Sequence, residues 1–107
     1  MTCPPKCTVA ALTSILDEFA VRSPRTRIVV QTILPRGATA TAIIATNRAV
    51  AELAAARGVE LLDLHEAFDD GSGGLRPEDT TDGWHLSDSG YARWADALGG
   101  ALANQTR

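Results

Sequence analysis

Two short aliphatic runs constrain this chain more than anything else in it. One is Ile28-Val29-Val30 with Ile33-Leu34; the other is Val59 with Leu61, Leu62 and Leu64. Near-continuous apolar character, rather than alternation, is the pattern of a strand buried on both faces, as in parallel sheets. Each run follows a segment with helical spacing. Val9, Leu12, Ile15, Leu16 and Phe19 form a stripe before the first, and Ile43, Ile44, Val50, Leu53 and Ala54 one before the second. A helix-strand-helix-strand order points to an α/β layer built on a parallel sheet.

In chain order, residues 1–7 contain Pro4-Pro5 and read as a disordered leader, with residues 8–107 as a single partial domain. Thr8 can cap a helix over 8–22, which Ser23-Pro24 stops. A strand is expected over 27–34, ended by Pro35-Arg36-Gly37, then a loop over 38–41. A helix over 42–57 should end at Gly58, and a second strand should cover 59–64. Residues 69–81 carry Asp-Asp-Gly-Ser-Gly-Gly and Arg-Pro-Glu-Asp and read as loop. The last helix is expected over 87–102, with Tyr91, Trp94, Ala95, Leu98 and Leu102 at helical spacing and Gly99-Gly100 fraying its end. Trp94 should belong to the core. Two strands with three helices would leave a sheet edge open, and an open edge invites self-association or pairing with a partner chain.

The net charge of -3 and the absence of a Lys/Arg cluster argue against nucleic acid. No apolar run approaches the ~20 residues of a membrane span. No apolar signal-peptide core is present, so the default location is cytoplasmic. Cys3 and Cys7 are spaced Cys-Pro-Pro-Lys-Cys, which is not a redox Cys-x-x-Cys pair and offers too few ligands for structural zinc. They read as incidental thiols, with a local disulfide or a shared metal as alternatives.

The chemistry concentrates in Asp82-Gly83-Trp84-His85-Leu86-Ser87-Asp88-Ser89-Gly90-Tyr91. Asp82 and His85 are three residues apart in a glycine-flanked turn, so the carboxylate can reach an imidazole nitrogen. Such a bond fixes the tautomer and stabilises the imidazolium. Ser87 suits an N-cap, and Asp88 suits the positive end of the helix that follows. Asp63 and His65 stand at the carboxyl end of the second strand, where α/β sheets place ligands. Asp63 reads as a cap and His65 as a residue at the rim. Trp84, between acid and base, could line a pocket for an acyl chain.

The block resembles the last motif of the SGNH (GDSL-type) serine hydrolases, which supply acid and base from Asp-x-x-His and open their final helix with Gly-Tyr. Arg27 to Pro35 is similar to the penultimate strand of that family, and Gly58 to Leu64 to its last strand. The resemblance implies a partial flavodoxin-like three-layer fold, with two strands and three helices of an SGNH hydrolase. It implies Asp82 as acid, His85 as base, no cofactor and no metal. The substrate class it implies is small-molecule esters or acetylated carbohydrates and lipids. The family's nucleophile is a Ser in Gly-Asp-Ser, and its oxyanion hole uses a Gly and the Asn of Gly-x-Asn-Asp; neither motif occurs here. The chain alone is therefore expected not to turn over substrate. Two other readings stay open. One is a non-catalytic remnant that binds or assembles through the open sheet edge. The other is a small metal-dependent domain using Asp63, His65, Asp82 and His85.

Overall fold

The computed structural model describes residues 5–37 and 40–103. In order these form α1 (Pro5–Arg22), β1 (Val29–Gln31), α2 (Ala40–Arg57), β2 (Glu60–Leu62), α3 (Leu64–Phe68), a 3-10 turn (Pro77–Asp79) and α4 (Asp88–Ala103). Among the described residues β1 and β2 make a two-stranded parallel sheet, with Val30 opposite Leu61. The α/β class expected from the aliphatic runs is the class observed.

Side chains alternate across a strand, and this places the helices. Gln31 faces α4, where Trp94 Nε1 donates to its Oε1 at 2.8 Å. Its neighbour Thr32 lies on the other face, sharing a hollow with Ile44 and Asn47 of α2. α1 packs on α2, tied by an Arg57–Asp17 ion pair. The core comprises Leu16, Val30, Ile43, Val50, Ala54, Leu64, Phe68 and Leu75. Gly58, at φ +68°, ends α2: its N–H donates to Ala55 O at 3.3 Å, and Val59 N–H to Ala54 O at 3.0 Å. This paired capping satisfies carbonyls that the helix leaves open.

Several expectations need correction. α1 starts at Pro5, so residues 5–7 are helical rather than leader; residues 1–4 lie outside the described set. Cys7 is disulfide-bonded rather than an incidental thiol. Both strands are three residues long, and neither is buried on both faces, since Gln31 and Leu61 are exposed. β1 stops early because Asn47 of α2 takes over the backbone of Ile33. Its Oδ1 accepts from Ile33 N at 2.8 Å, and its Nδ2 donates to Ile33 O at 3.0 Å. The loop expected over 38–41 already gives helix at Ala40; residues 38 and 39 are outside the described set. Ile44 is exposed, while Thr46 and Asn47 occupy the inner face of α2. The short helix α3 falls where the sequence pattern shows none. Trp94 is half-buried rather than core, and Tyr91, stacked on it at 6.3 Å, is exposed. α4 runs through Gly99-Gly100 without a break. Arg27 explains this, because its guanidinium donates to the terminal carbonyls of Ala101 (2.8 Å) and Leu102 (2.9 Å) while forking onto Glu60.

Large apolar side chains remain on the surface of α1, among them Ile15 (53% exposed), Phe19 and Val21. Among the described residues, one edge of β1 carries no partner strand. No helix among them is long and apolar enough to cross a membrane.

Candidate active site

The Asp82–His85 turn forms where the chain enters α4. Its base is closed by an antiparallel bridge between Thr80 and Leu86, and by Ser87 N–H donating to Asp79 O at 2.8 Å. Ser87 is the N-cap expected: its Oγ accepts from Gly90 N at 3.1 Å and donates to Glu78 O at 2.7 Å. Asp88 stands in the first turn of α4, as the helix dipole favours.

Within the turn, one carboxylate does three things. Asp82 Oδ1 accepts from the backbone N–H groups of Trp84 and His85, each at 2.8 Å, and Oδ2 lies 2.7 Å from His85 Nδ1. Gly83, at φ +86°, supplies the left-handed step that folds the chain back over the carboxylate. Thr80 Oγ1 donates to His85 O at 2.6 Å and accepts from Gly83 N at 2.9 Å, which braces the turn from below. The His85 backbone N–H, then its side chain, then the Trp84 N–H hold the Asp82 carboxyl well below the usual carboxylate range. Asp82 is therefore ionised at neutral pH. It holds the imidazole through Nδ1, so Nε2 is the ring nitrogen turned away from the carboxylate. The ring is open to solvent, with its side chain 82% exposed.

Trp84 is also exposed. Its ring lies under the Arg36 guanidinium, 5.0 Å from centroid to Cζ, and its carbonyl accepts from Arg36 Nη1. Beneath the turn, Asp79 is fully buried and receives Arg93 Nε at 3.0 Å, with Arg76 Nη1 at 3.7 Å. Sequence reasoning passes over Arg36, Asp79 and Thr80. The aspartate in Pro-Glu-Asp carries no sign of burial, because its partner Arg93 comes 14 residues later.

Asp63 caps α3 as expected, its Oδ1 accepting from Glu66 N at 3.0 Å and from Thr32 Oγ1 at 3.1 Å. His65 donates its backbone N–H to Thr32 Oγ1 at 3.0 Å. Asp63 and His65 thus serve the β2–α3 junction. Among the described residues no group of three or more His, Cys, Asp or Glu side chains is placed to hold a metal ion. This corrects the alternative in which Asp63, His65, Asp82 and His85 form one metal site. No serine hydroxyl is hydrogen-bonded to His85 among the described residues. Ser23 pairs with Thr26, Ser72 with Asp70, and Ser87 with Glu78.

A parallel α/β layer, with a carboxylate–imidazole pair in the turn leading to its last helix, is the architecture of an SGNH-type hydrolase. The sequence matches the model of the GDSL-like lipase/acylhydrolase family over residues 1–93, and the chain belongs to that family. Three solved structures are similar. A Streptococcus pneumonia protein provisionally named a platelet activating factor superposes with a TM-score of 0.82 at 32% identity, over 92% of this chain and 52% of its own. A GDSL-like lipase from Bacteroides thetaiotaomicron gives 0.80 at 15% identity, over 94% and 53%. A Bacteroides fragilis protein, provisionally an acylhydrolase, gives 0.71 at 17%, over 99% and 55%. The chain thus spans about half the length of these structures. No curated protein sequence matches it.

Proposed function

We propose that this chain is the acid–base half of a serine ester hydrolase. The observation that carries the reading is the 2.7 Å contact between Asp82 Oδ2 and His85 Nδ1, made by an exposed imidazole. With Nδ1 held by the carboxylate, His85 Nε2 would take the proton from a serine hydroxyl as it attacks an ester carbonyl. The resulting imidazolium, stabilised by ionised Asp82, would return the proton to the leaving alcohol. Water would then release the acyl group by the same two steps. The serine and the oxyanion donors would come from a segment bearing Gly-Asp-Ser, which these 107 residues lack. The open edge of β1 and the apolar surface of Ile15, Phe19 and Val21 are where such a segment would pack. The substrate class is a small-molecule ester or an acetylated carbohydrate or lipid, with Trp84 beside the acyl position.

The same open edge would serve a non-catalytic assembly module, and one experiment separates the two. A fluorophosphonate probe is expected to leave the chain alone unlabelled. Joined to a front segment bearing Gly-Asp-Ser from another family member, the chain should be labelled on that serine, and His85→Ala should abolish the labelling. Labelling indifferent to His85→Ala would defeat the acid–base reading.

A further inference from the structure

We infer that Arg36 is the positioning residue that ties the His85 turn to the segment following β1. The reading deepens the proposed acid–base role, but it rests on contacts that exist whether or not the chain meets a serine. Residues 81–85 are all exposed. The hydrogen bonds of Asp82, Gly83 and His85 stay within the turn or go to Thr80 at its base. Those bonds fix the imidazole relative to the carboxylate. They do not fix the pair relative to the sheet.

Two anchors do that. At the base, the turn leaves from Asp79, which is fully buried and ion-paired to Arg93 of α4. At the tip, among the described residues, the connection to a distant part of the chain is Arg36, 48 residues upstream of Trp84. It grips at two points: Nη1 donates to the Trp84 carbonyl, and the guanidinium plane covers the indole ring. The first point fixes the peptide next to His85, and the second limits rotation of that peptide.

Arg36 can serve as an anchor because its own backbone is held on both sides. Pro35 is among the few fully buried residues and has a locked φ. Gly37 N–H donates to Gly73 O at 2.8 Å. Arg36 also has no carboxylate partner among the ion pairs of the described residues, so its charge is spent on the ring and carbonyl of Trp84. A guanidinium over an indole face contributes through the ring quadrupole, an attraction that a neutral side chain of similar length lacks.

The test is backbone 15N relaxation on the intact chain and on Arg36→Met, with Arg36→Lys as the conservative variant. Order parameters at residues 83–85 are expected to fall from ~0.85 toward ~0.6 or lower in Arg36→Met, while those of Thr80 and Leu86 hold. The His85 tautomer, read from its ring 15N shifts, should be unchanged, because Asp82 sets it. Arg36→Lys should restore part of the ordering by keeping a cation and a donor. Trp84→Ala, which removes the ring and leaves the carbonyl, should fall between wild type and Arg36→Met. Unchanged order parameters in Arg36→Met would overturn the inference, as would a loss of order spread over the whole chain. Neither readout depends on ester turnover, so failure here and failure of the hydrolase reading are distinguishable.

Discussion

Gly90→Ala adds one methyl group at a crowded point beneath the acid–base turn. Gly90 is buried at the start of α4, and a Cβ there would lie well inside van der Waals contact of the Asp79 carbonyl oxygen, with Leu86 Cβ and Cδ2 at 3.1 Å. The carbonyl cannot move freely, because it accepts from Ser87 N–H at 2.8 Å and belongs to the buried residue paired with Arg93. Forcing a methyl into a packed site costs about 1–3 kcal/mol. Weakening the Ser87 bond adds about 1 kcal/mol. Helix propensity works the other way, returning about 0.8–1 kcal/mol for Gly to Ala. The net expectation is a loss of about 1–3 kcal/mol. Gly99 and Gly100 lie on the same helix, and a Cβ at either would meet nothing within 4 Å. The same substitution there should stabilise by about 0.5–1 kcal/mol. Urea unfolding of the three variants gives a comparison in which composition and helix are shared and only the neighbour differs. Because Asp79 is bonded to Ser87, the displacement should also move the amide resonances of Trp84 and His85. If Gly90→Ala is as stable as Gly99→Ala, the crowding does not anchor the turn and the reasoning fails.

Two further outcomes follow from single contacts. Asn47→Ala should cost about 2–3 kcal/mol in urea unfolding, since it strips both bonds from the backbone N–H and C=O of Ile33 and leaves partly buried groups unpaired; a loss below about 0.5 kcal/mol would mean water replaces them freely. The second concerns pH. Asp82 has its carboxyl lowered in the folded chain, first by the His85 backbone N–H. A depressed carboxyl contributes fully above the unfolded value of about 3.9 and loses its contribution as pH falls through the folded one. The protonation midpoint of the Asp82 carboxyl, read from its Cγ 13C shift, should therefore fall below about 3.9; a midpoint above that value would contradict the bonding pattern.

The acid–base turn is legible in the sequence because its contacts are short-range. Asp82 reaches His85 three residues on, and Ser87 reaches Gly90 across the same span. The cap at Asp63 is legible for the same reason, and Asp63-x-x-Glu66 could also have signalled α3, a helix too short to show a period. Contacts spanning long stretches of chain are not legible. Trp94 reads as core from its helical spacing, yet its indole N–H finds Gln31, 63 residues earlier, and this keeps the ring at the sheet margin. Asn47 looks like an ordinary helix residue until Ile33 is placed beside it. The stripe on α1 reads as buried, but Ile15 and Phe19 remain exposed in a chain about half the length of the structures it resembles.

This difference in range bears on how the family's chemistry divides along a chain. A serine, an oxyanion hole and an imidazole must meet in space, but they need not be held by the same contacts. Here the carboxylate and imidazole are set by bonds inside residues 80–87, the turn is seated by Asp79 and Arg93, and its tip is held by Arg36. None of these contacts calls on a nucleophile or on oxyanion donors. The carboxylate can therefore be ionised and the imidazole held against it by contacts within these 107 residues alone. It follows that folding and turnover are separable. A variant such as His85→Ala, at a side chain open to solvent, should leave the unfolding midpoint nearly unchanged while removing any activity that a Gly-Asp-Ser segment confers. A large stability loss in that variant would show that the imidazole is part of the scaffold and would unseat the division drawn here.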